Sequence, residues 1–335
     1  MDEPHAQKDP TPPLADDVGH VPVLPGPVLE LLAPKPGGVF VDCTTGRGGH
    51  ASLVIPHLGP GGTYLAFDLD PGNLAYARQR CEPIAQAHGV TLHTAQENFA
   101  GLRPAMDRLG VERADALLAD LGFASNQVDD AARGLSFKQD GPLDMRLDPS
   151  GPVTAEQLVN TLPERELADL IYRLGEERLS RRIARKIVAQ REIEPISRTL
   201  GLAKICRSAY GHQPRGVRID PATRTFQALR IAVNGELDAL DRLLGQLAGV
   251  LASGGRAGLI SFHSLEDRPV KRAFLQAQQD GWAKRLTRKP VVADVSEQTH
   301  NPRSRSAKFR VIERLSLDHP PTVGGDRREP RPSLT

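Results

Sequence analysis

The stretch Val39-Phe-Val-Asp42-Cys-Thr-Thr-Gly46-Arg-Gly48-Gly49-His50 constrains the fold more than any other part of the chain. An apolar run leads into a turn that holds glycine at positions 46, 48 and 49, and a helical pattern follows, so the segment reads as strand, glycine turn, helix. Glycine reaches positive φ and carries no Cβ, so such a turn is tight and lets a nucleotide-like ligand approach the backbone. A second strand, Thr63-Tyr-Leu-Ala-Phe67, ends in Asp68. Nucleotide-binding βαβ units place a carboxylate there, roughly 20 residues beyond the turn, to accept hydrogen bonds from ribose hydroxyls.

The spelling of the turn separates the candidate ligands. A dinucleotide site favours G-x-G-x-x-G with a pyrophosphate on the helix N-terminus. Here the turn is G-R-G-G-H, preceded four residues earlier by the acid Asp42. S-adenosylmethionine (SAM) has no phosphate but carries an α-amino group and a sulfonium, both suited by acidic groups, so the turn favours SAM. NAD or FAD, and a turn with no ligand at all, remain as alternatives.

Strand-like runs recur at 39–41, 64–67, 91–93, 116–119 and 257–262, alternating with helical patterns, which predicts a parallel sheet covered on both faces. The alternation stops after Asp120 and resumes near Thr223. Between them Thr154-Ala-Glu-Gln157 forms a capping box, and Pro163 suits the first position of a helix with Leu167, Leu170, Ile171 and Leu174 on one stripe, stopping at Gly175. The next helix sets Leu179, Ile183 and Ile187 on one stripe. A long helix is expected from Gly235 to Leu251, ending at Ser253-Gly-Gly255. The boundaries expected are a main α/β domain at 20–134 and 223–317, an all-helical insert at 135–222, and disordered tails at 1–19 and 318–335, where proline and polar residues cannot bury enough apolar surface to order themselves. The 335 residues suffice for two such domains.

Composition excludes some classes. No apolar run approaches the roughly 20 residues of a membrane span and no apolar signal core opens the chain, so a cytoplasmic location is expected. Cys43, Cys81 and Cys206 lack metal or disulfide spacing and read as small buried residues. His20, His50 and His263 have no ligand spacing with one another or with the cysteines, so no metal site is expected. The net charge is only +2, but the cations cluster: Arg181, Arg182, Arg185, Lys186 and Arg191 occur without an intervening acid. Lys284, Arg285, Arg288, Lys289, Arg303, Arg305, Lys308 and Arg310 form a second basic region. Beside a nucleotide-type site, these suggest a polyanionic partner as well as ordinary solvated faces.

Two strand ends carry polar groups. Asp120-Leu-Gly-Phe-Ala-Ser125-Asn-Gln127 lies where open α/β sheets place reacting groups. Methylating an exocyclic amine needs acceptors for its N–H groups as the nitrogen turns tetrahedral, and Asp120 can serve, or it can hold the cofactor or simply cap the strand. Gln127 suits an adenine, a base edge or a surface loop. His263-Ser264 invites a hydrolase reading, but no G-x-S-x-G elbow accompanies it, and substrate positioning by His263 is better supported.

The ordered segments His20–Leu24, Asp42–His50, Arg133–Phe137, Asp140–Arg146, Pro221–Arg230, Ser261–Asp267 and Asn301–Ser306 resemble the ribosomal RNA small-subunit methyltransferase H family (RsmH/MraW) over nearly the whole chain. The resemblance implies a Rossmann-like class I SAM-dependent methyltransferase domain with an inserted helical domain, methylating N4 of a cytidine in the decoding region of 16S rRNA on the small ribosomal subunit. Carried over by residue, it implies cofactor contacts at Gly48, Gly49, His50, Asp68, Phe99, Asp120 and Gln127. Arg181, Arg182, Arg185, Lys186, Arg303 and Arg305 are the expected phosphate contacts. The family usually shows D-L-G-V-S-S where this chain has Asp120-Leu-Gly-Phe123-Ala124-Ser125, so a role for the first serine hydroxyl does not carry over. A DNA amino-methyltransferase and a non-catalytic RNA-binding protein are the rival readings.

Overall fold

The computed structural model describes residues 22–211 and 220–316; His20 and the two expected tails lie outside them. From the amino end the chain runs α1 (Pro25–Leu32), β1 (Val39–Asp42), α2 (Gly49–Leu58), β2 (Thr63–Asp68), α3 (Pro71–His88), β3 (Thr91–Gln96), α4 (Leu102–Arg108) and β4 (Ala114–Asp120). One turn of helix, α5 (Ser125–Asp129), leads to α6 (Ala155–Thr161), α7 (Glu164–Gly175), α8 (Ser180–Arg191) and α9 (Thr199–Ser208). Then come α10 (Ala222–Asn234), α11 (Glu236–Val250), β5 (Leu251–Ser261), α12 (Ser264–Gln279), β6 (Ala283–Arg285), α13 (Val295–His300) and β7 (Lys308–Arg314).

The strands form one seven-stranded sheet in the order β3-β2-β1-β4-β5-β7-β6, parallel except for β7, which runs antiparallel to both neighbours. The apolar runs of β1, β2 and β4 are nearly continuous because both faces are covered. Phe40, Tyr64 and Leu118 pack with α1, α2 and α3, while Val41, Leu65 and Leu117 face Leu102, Met106, Leu243 and Phe274 of α4, α11 and α12. The chain moves outward from β1 to β3 and then returns to β4 on the other side of β1. This reversal opens a crevice at the carboxyl ends of β1 and β4, the place where such sheets bind ligands.

A third cluster is built mainly by helices α6 to α10. Leu143, Met145, Val159, Leu167, Ile171, Ile183, Ile187, Leu202, Cys206, Phe226 and Leu229 are buried together. The seam expected at 222/223 falls at the start of α10, whose Phe226 and Leu229 belong to this helical core. The capping box is present: Thr154 Oγ1 accepts from the Gln157 amide at 3.2 Å, and Gln157 Oε1 accepts from the Thr154 amide at 2.9 Å. Pro163 sits one residue before α7 rather than at its first position. Gly175 is the last helical residue and Glu176, at φ 50°, takes the left-handed conformation that closes α7; the glycine is there for packing, since a Cβ would meet the Arg224 carbonyl oxygen of α10 at 2.4 Å.

Two expectations need correction. The long helix starts at Glu236, because Gly235 takes the left-handed conformation that closes α10. It stops at Val250, and Ser253-Gly-Gly255 belongs to β5, where pairing with β4 jumps from Leu251 to Arg256. Strands β6 and β7 are not among the expected runs, because in β7 the apolar Phe309, Val311 and Ile312 are interleaved with charged residues. In β7, Arg310 and Arg314 are buried, and Arg310 is neutralised by Asp267 through contacts of 2.7 and 3.2 Å. Arg310 of the second basic region is thus spent inside the fold, while Lys284, Arg288, Lys289, Arg303 and Arg305 stay exposed, with Lys284 paired to Glu313 at 2.7 Å.

Candidate active site

The carboxyl ends of β1, β2, β4 and β5 open into one cavity of about 550 Å³, within the ordinary range of ligand pockets. Gly46, Gly49, His50, Asp68, Phe99, Asp120, Gln127, His263 and Arg303 all line it. Residues separated by more than 250 positions thus meet at one sheet edge, as the strand-end reasoning requires.

The glycine turn is built on acids. Asp42, at the end of β1, is fully enclosed; its Oδ1 accepts from the Thr44 amide at 3.1 Å and its Oδ2 from the Tyr64 hydroxyl at 2.7 Å. Burial pushes its pKa up to about 6, against the opposing pull of the Tyr64 hydrogen bond and of His50. Asp68 accepts from the Gly46 amide at 2.7 Å and the Asp70 amide at 2.8 Å, and burial likewise raises it to about 6. Each oxygen of Asp68 is left with acceptor capacity for a ribose hydroxyl. Gly48 does not line the cavity. It turns the chain at φ 76°, pressed so closely on α3 that a Cβ would lie 2.8 Å from Cys81 Sγ. All three cysteines are free and buried.

Gln127, expected at the adenine or the base edge, has both ends of its amide engaged within the protein. Its Oε1 accepts from the Ala124 amide at 2.9 Å, and its Nε2 donates to Asp70 Oδ2 at 2.9 Å. The same Asp70 oxygen accepts from Arg133 at 2.6 Å. Burial alone would raise Asp70, but Gln127 and the Arg133 guanidinium outweigh it and hold the carboxyl below its usual range. Sequence reasoning missed this knot; the signal was Asp70 before Pro71, an N-cap that accepts from the Gly72 and Asn73 amides of α3.

Asp120 is the open acceptor. Its amide donates to Thr44 Oγ1 at 2.6 Å, which ties β4 to the turn, and its Oδ2 lies 3.7 Å from His50 Nε2. Its Oδ1 is buried with no hydrogen-bond partner among the described residues. A buried acceptor left open in a ligand-sized cavity fits a site completed by a ligand N–H.

At the end of β5, His263 Nε2 lies 3.1 Å from Glu266 Oε1 and 3.4 Å from Arg230 Nη2. Burial would raise Glu266, but His263 and Arg230 outweigh it and keep the carboxyl below its usual range. Arg230 in turn grips Glu236 with two bonds of 2.7 Å. Glu236, His263 and Glu266 have cation-like spacing, yet the Arg230 guanidinium already supplies the positive charge among them. Ser264 donates to Glu176 at 2.6 Å rather than to the imidazole, so the neighbouring histidine and serine form no hydrolytic pair.

The expected phosphate contacts divide. Arg303 lines the cavity and pairs with Asp129 at 2.9 Å, whereas Arg305 is exposed outside it. On α8, Arg181, Arg182 and Arg185 are exposed and Lys186 half-buried, none of them lining the cavity. Arg185 approaches Glu164 at 3.7 Å. Arg191, from the same cluster, is structural, donating to the Val159 and Leu162 carbonyls at 2.8 Å.

With this geometry in place, the comparisons with known proteins decide the family. The profile of the MraW methylase family matches residues 17–315. The chain belongs to that family. It is 44% identical over 315 residues to the ribosomal RNA small subunit methyltransferase H of Geobacter sp. (strain M21), covering 90% of this chain and all of that one. It is 47% identical over 296 residues to the protein of the same name from Synechococcus elongatus, covering 88% and 95%. Among solved structures, a rRNA methylase from Streptococcus thermophilus aligns over 87% of this chain and 94% of its own at 9% identity and a TM-score of 0.40, too low to add to the strand order itself. Membership makes the chain a methyltransferase, and SAM, favoured by the turn over NAD or FAD, is its donor. The acid-rich turn, the carboxylate of Asp68 beside it and the open oxygen of Asp120 suit that donor and an amine acceptor.

Proposed function

We propose that this enzyme transfers the methyl group of SAM to N4 of a cytidine in the decoding region of 16S rRNA, acting on the small ribosomal subunit in the cytoplasm. The observation that supports this most is the unpartnered Oδ1 of Asp120, buried at the point where the glycine turn and the α10–β5 wall share one cavity. The residues given to the cofactor are Gly49, His50, Asp68, Phe99 and Asp120, with Gly48 and Gln127 acting through the backbone they shape.

SAM, when bound, supplies an electrophilic methyl group. The cytosine amino nitrogen has its lone pair delocalised into the ring, so it becomes nucleophilic only as it turns tetrahedral. Asp120 accepts one of its N–H bonds at that moment and stabilises the growing positive charge on nitrogen. His50 Nε2 lies 3.7 Å from the other oxygen of Asp120, beyond hydrogen-bond distance, and is itself without a hydrogen-bond partner among the described residues. After transfer the surplus proton leaves to water, and no covalent enzyme intermediate is needed. Alignment of the two reactants in one enclosure supplies much of the acceleration. The target base has to be unpaired or splayed from its stack to enter. Arg181, Arg182, Arg185 and Lys186 on α8, with Arg303 and Arg305, are proposed to hold the surrounding phosphates.

The test is mass mapping of modified nucleosides after purified small subunits are incubated with the enzyme and labelled SAM, alongside duplex DNA. The reading predicts N4-methylcytidine at one decoding-region position of 16S rRNA. Label on the DNA alone, or on no nucleic acid, would overturn it.

A further inference from the structure

The cavity has two chemically different halves. On the side of β1, β2 and β3 lie the acid-rich turn, Asp68 and Phe99. On the other side, beyond β4, the wall is aromatic, with Phe123, Phe137, Phe226 and Phe262. Phe137 and Phe226 pack edge to face with their ring centroids 4.7 Å apart, and Phe226 is 4% exposed, so these two serve the wall itself.

Phe123 is different. It lies in the loop between β4 and α5 and is 42% exposed in a cavity wall, an uncovered apolar ring that the packing of neither element uses. One face of the ring is taken by the Arg230 guanidinium, whose carbon lies 4.6 Å from the ring centroid. Arg230 is 8% exposed and its guanidinium is held by two bonds to Glu236, so it backs the ring as a fixed plate. The backbone on either side is also fixed. Gly122 takes φ 109°, open only to glycine, and turns the chain off β4, while the Ala124 amide is clamped by Gln127. The ring is therefore preorganised, with one face closed and the other free, three residues beyond the acceptor Asp120.

A flat apolar ring with one free face next to an amine-accepting carboxylate matches a nucleobase, whose π face stacks on aromatic rings whatever its sequence context. The geometry points to Phe123 as the stacking platform for the target cytosine, which lies on the ring face opposite Arg230 with its amino edge towards Asp120. This rests on the proposed rRNA cytidine reaction and assigns a positioning role to a residue where the family usually shows valine, a side chain that cannot stack. The side of the cavity favours the base over the donor's adenine, because Asp68 and Phe99 stand across β1 from Phe123 in the strand order.

The test compares Phe123→Leu, Phe123→Tyr and Phe123→Trp with the parent enzyme on purified small subunits. Loss of a stacked ring should lower kcat/KM of Phe123→Leu by between about fivefold and 150-fold, while Tyr and Trp stay within about threefold of the parent. SAM affinity, measured by calorimetry, should be unchanged in all three. The chain has a single natural tryptophan, Trp282, so the added fluorescence of Phe123→Trp reports on the platform and should be quenched by substrate subunits but not by SAM alone. Quenching separates stacking from a merely structural effect. If the parent methylates the subunit and Phe123→Leu keeps kcat/KM within about twofold, or if no quenching occurs, the platform is refuted. If the parent itself transfers no methyl group to the subunit, the reaction reading fails and the platform falls with it.

Discussion

Gly48→Ala tests how the turn is held, and its cost divides into two separable parts. The first is conformational: φ is 76°, and an L-residue in the left-handed region costs about 1–2 kcal/mol. The second is steric. The new Cβ would lie 2.8 Å from Cys81 Sγ, well inside contact distance, whereas its next neighbours, Ala77 Cα and Cβ at 3.4 and 3.5 Å, are ordinary contacts. Forcing one methyl into a packed site costs about 1–3 kcal/mol, so the total should be about 2–5 kcal/mol. The steric part depends on a single sulfur, and Cys81→Ala removes it. The double variant Gly48→Ala/Cys81→Ala should then be less destabilised than the sum of the singles by about 1–3 kcal/mol, while the conformational part persists. Urea unfolding of the four proteins measures this coupling. SAM affinity should follow, falling in Gly48→Ala, because the turn leads directly into Gly49 and His50, and recovering in the double variant. Coupling below about 0.5 kcal/mol would mean that α3 does not support the turn through Cys81, and the argument would be wrong.

Asp120→Ala removes the open acceptor and should lower kcat by about a hundredfold or more; activity within about threefold of the parent in single-turnover assays at saturating SAM would take Asp120 out of the mechanism. Asp42 is raised from the usual 3.8 to about 6, so the native state binds its proton more tightly than the unfolded chain does. Its stabilising contribution is complete below about pH 4 and is lost as pH rises through 6. The stability of Asp42→Asn relative to the parent should accordingly increase between pH 4 and pH 7 by up to about 3 kcal/mol in denaturant titrations, and a pH-independent difference would contradict the burial argument. Replacing Arg181, Arg182, Arg185 and Lys186 by glutamine should weaken subunit binding and reduce the slope of log K against log salt by about 3. An unchanged slope would leave α8 as ordinary surface.

The legible parts of the molecule are those where one local pattern dictates the outcome. Val39–Asp42 and Thr63–Asp68 are apolar runs buried on both faces, and the turn between β1 and α2 announces itself by glycines, so the nucleotide half of the crevice could be read directly. Asp120 and His263 were legible because a polar residue closing an apolar strand stands at the ligand-binding edge of such a sheet. What could not be read depends on pairing between distant charges. Arg310 in β7 looks like a surface cation until Asp267, 43 positions earlier, is seen to neutralise it. Arg230, Glu236 and Glu266 lie on α10, α11 and α12, where single charges in amphipathic helices read as solvated faces. Only the fold turns them inward around His263. Gln127 was placed by resemblance at the ligand, and its two protein partners, Ala124 and Asp70, became visible only with coordinates.

The central claim is that one cavity holds the donor at the glycine turn and presents a base amine to it beside Asp120. A crystal structure with S-adenosylhomocysteine and cytidine bound together measures this most directly. The account predicts the ribose of the donor product on Asp68, its sulfur facing the end of β4, and the cytidine amino group within hydrogen-bond reach of Asp120. Donor product bound away from residues 46–50, or a cytidine whose amino edge points away from Asp120, would contradict it.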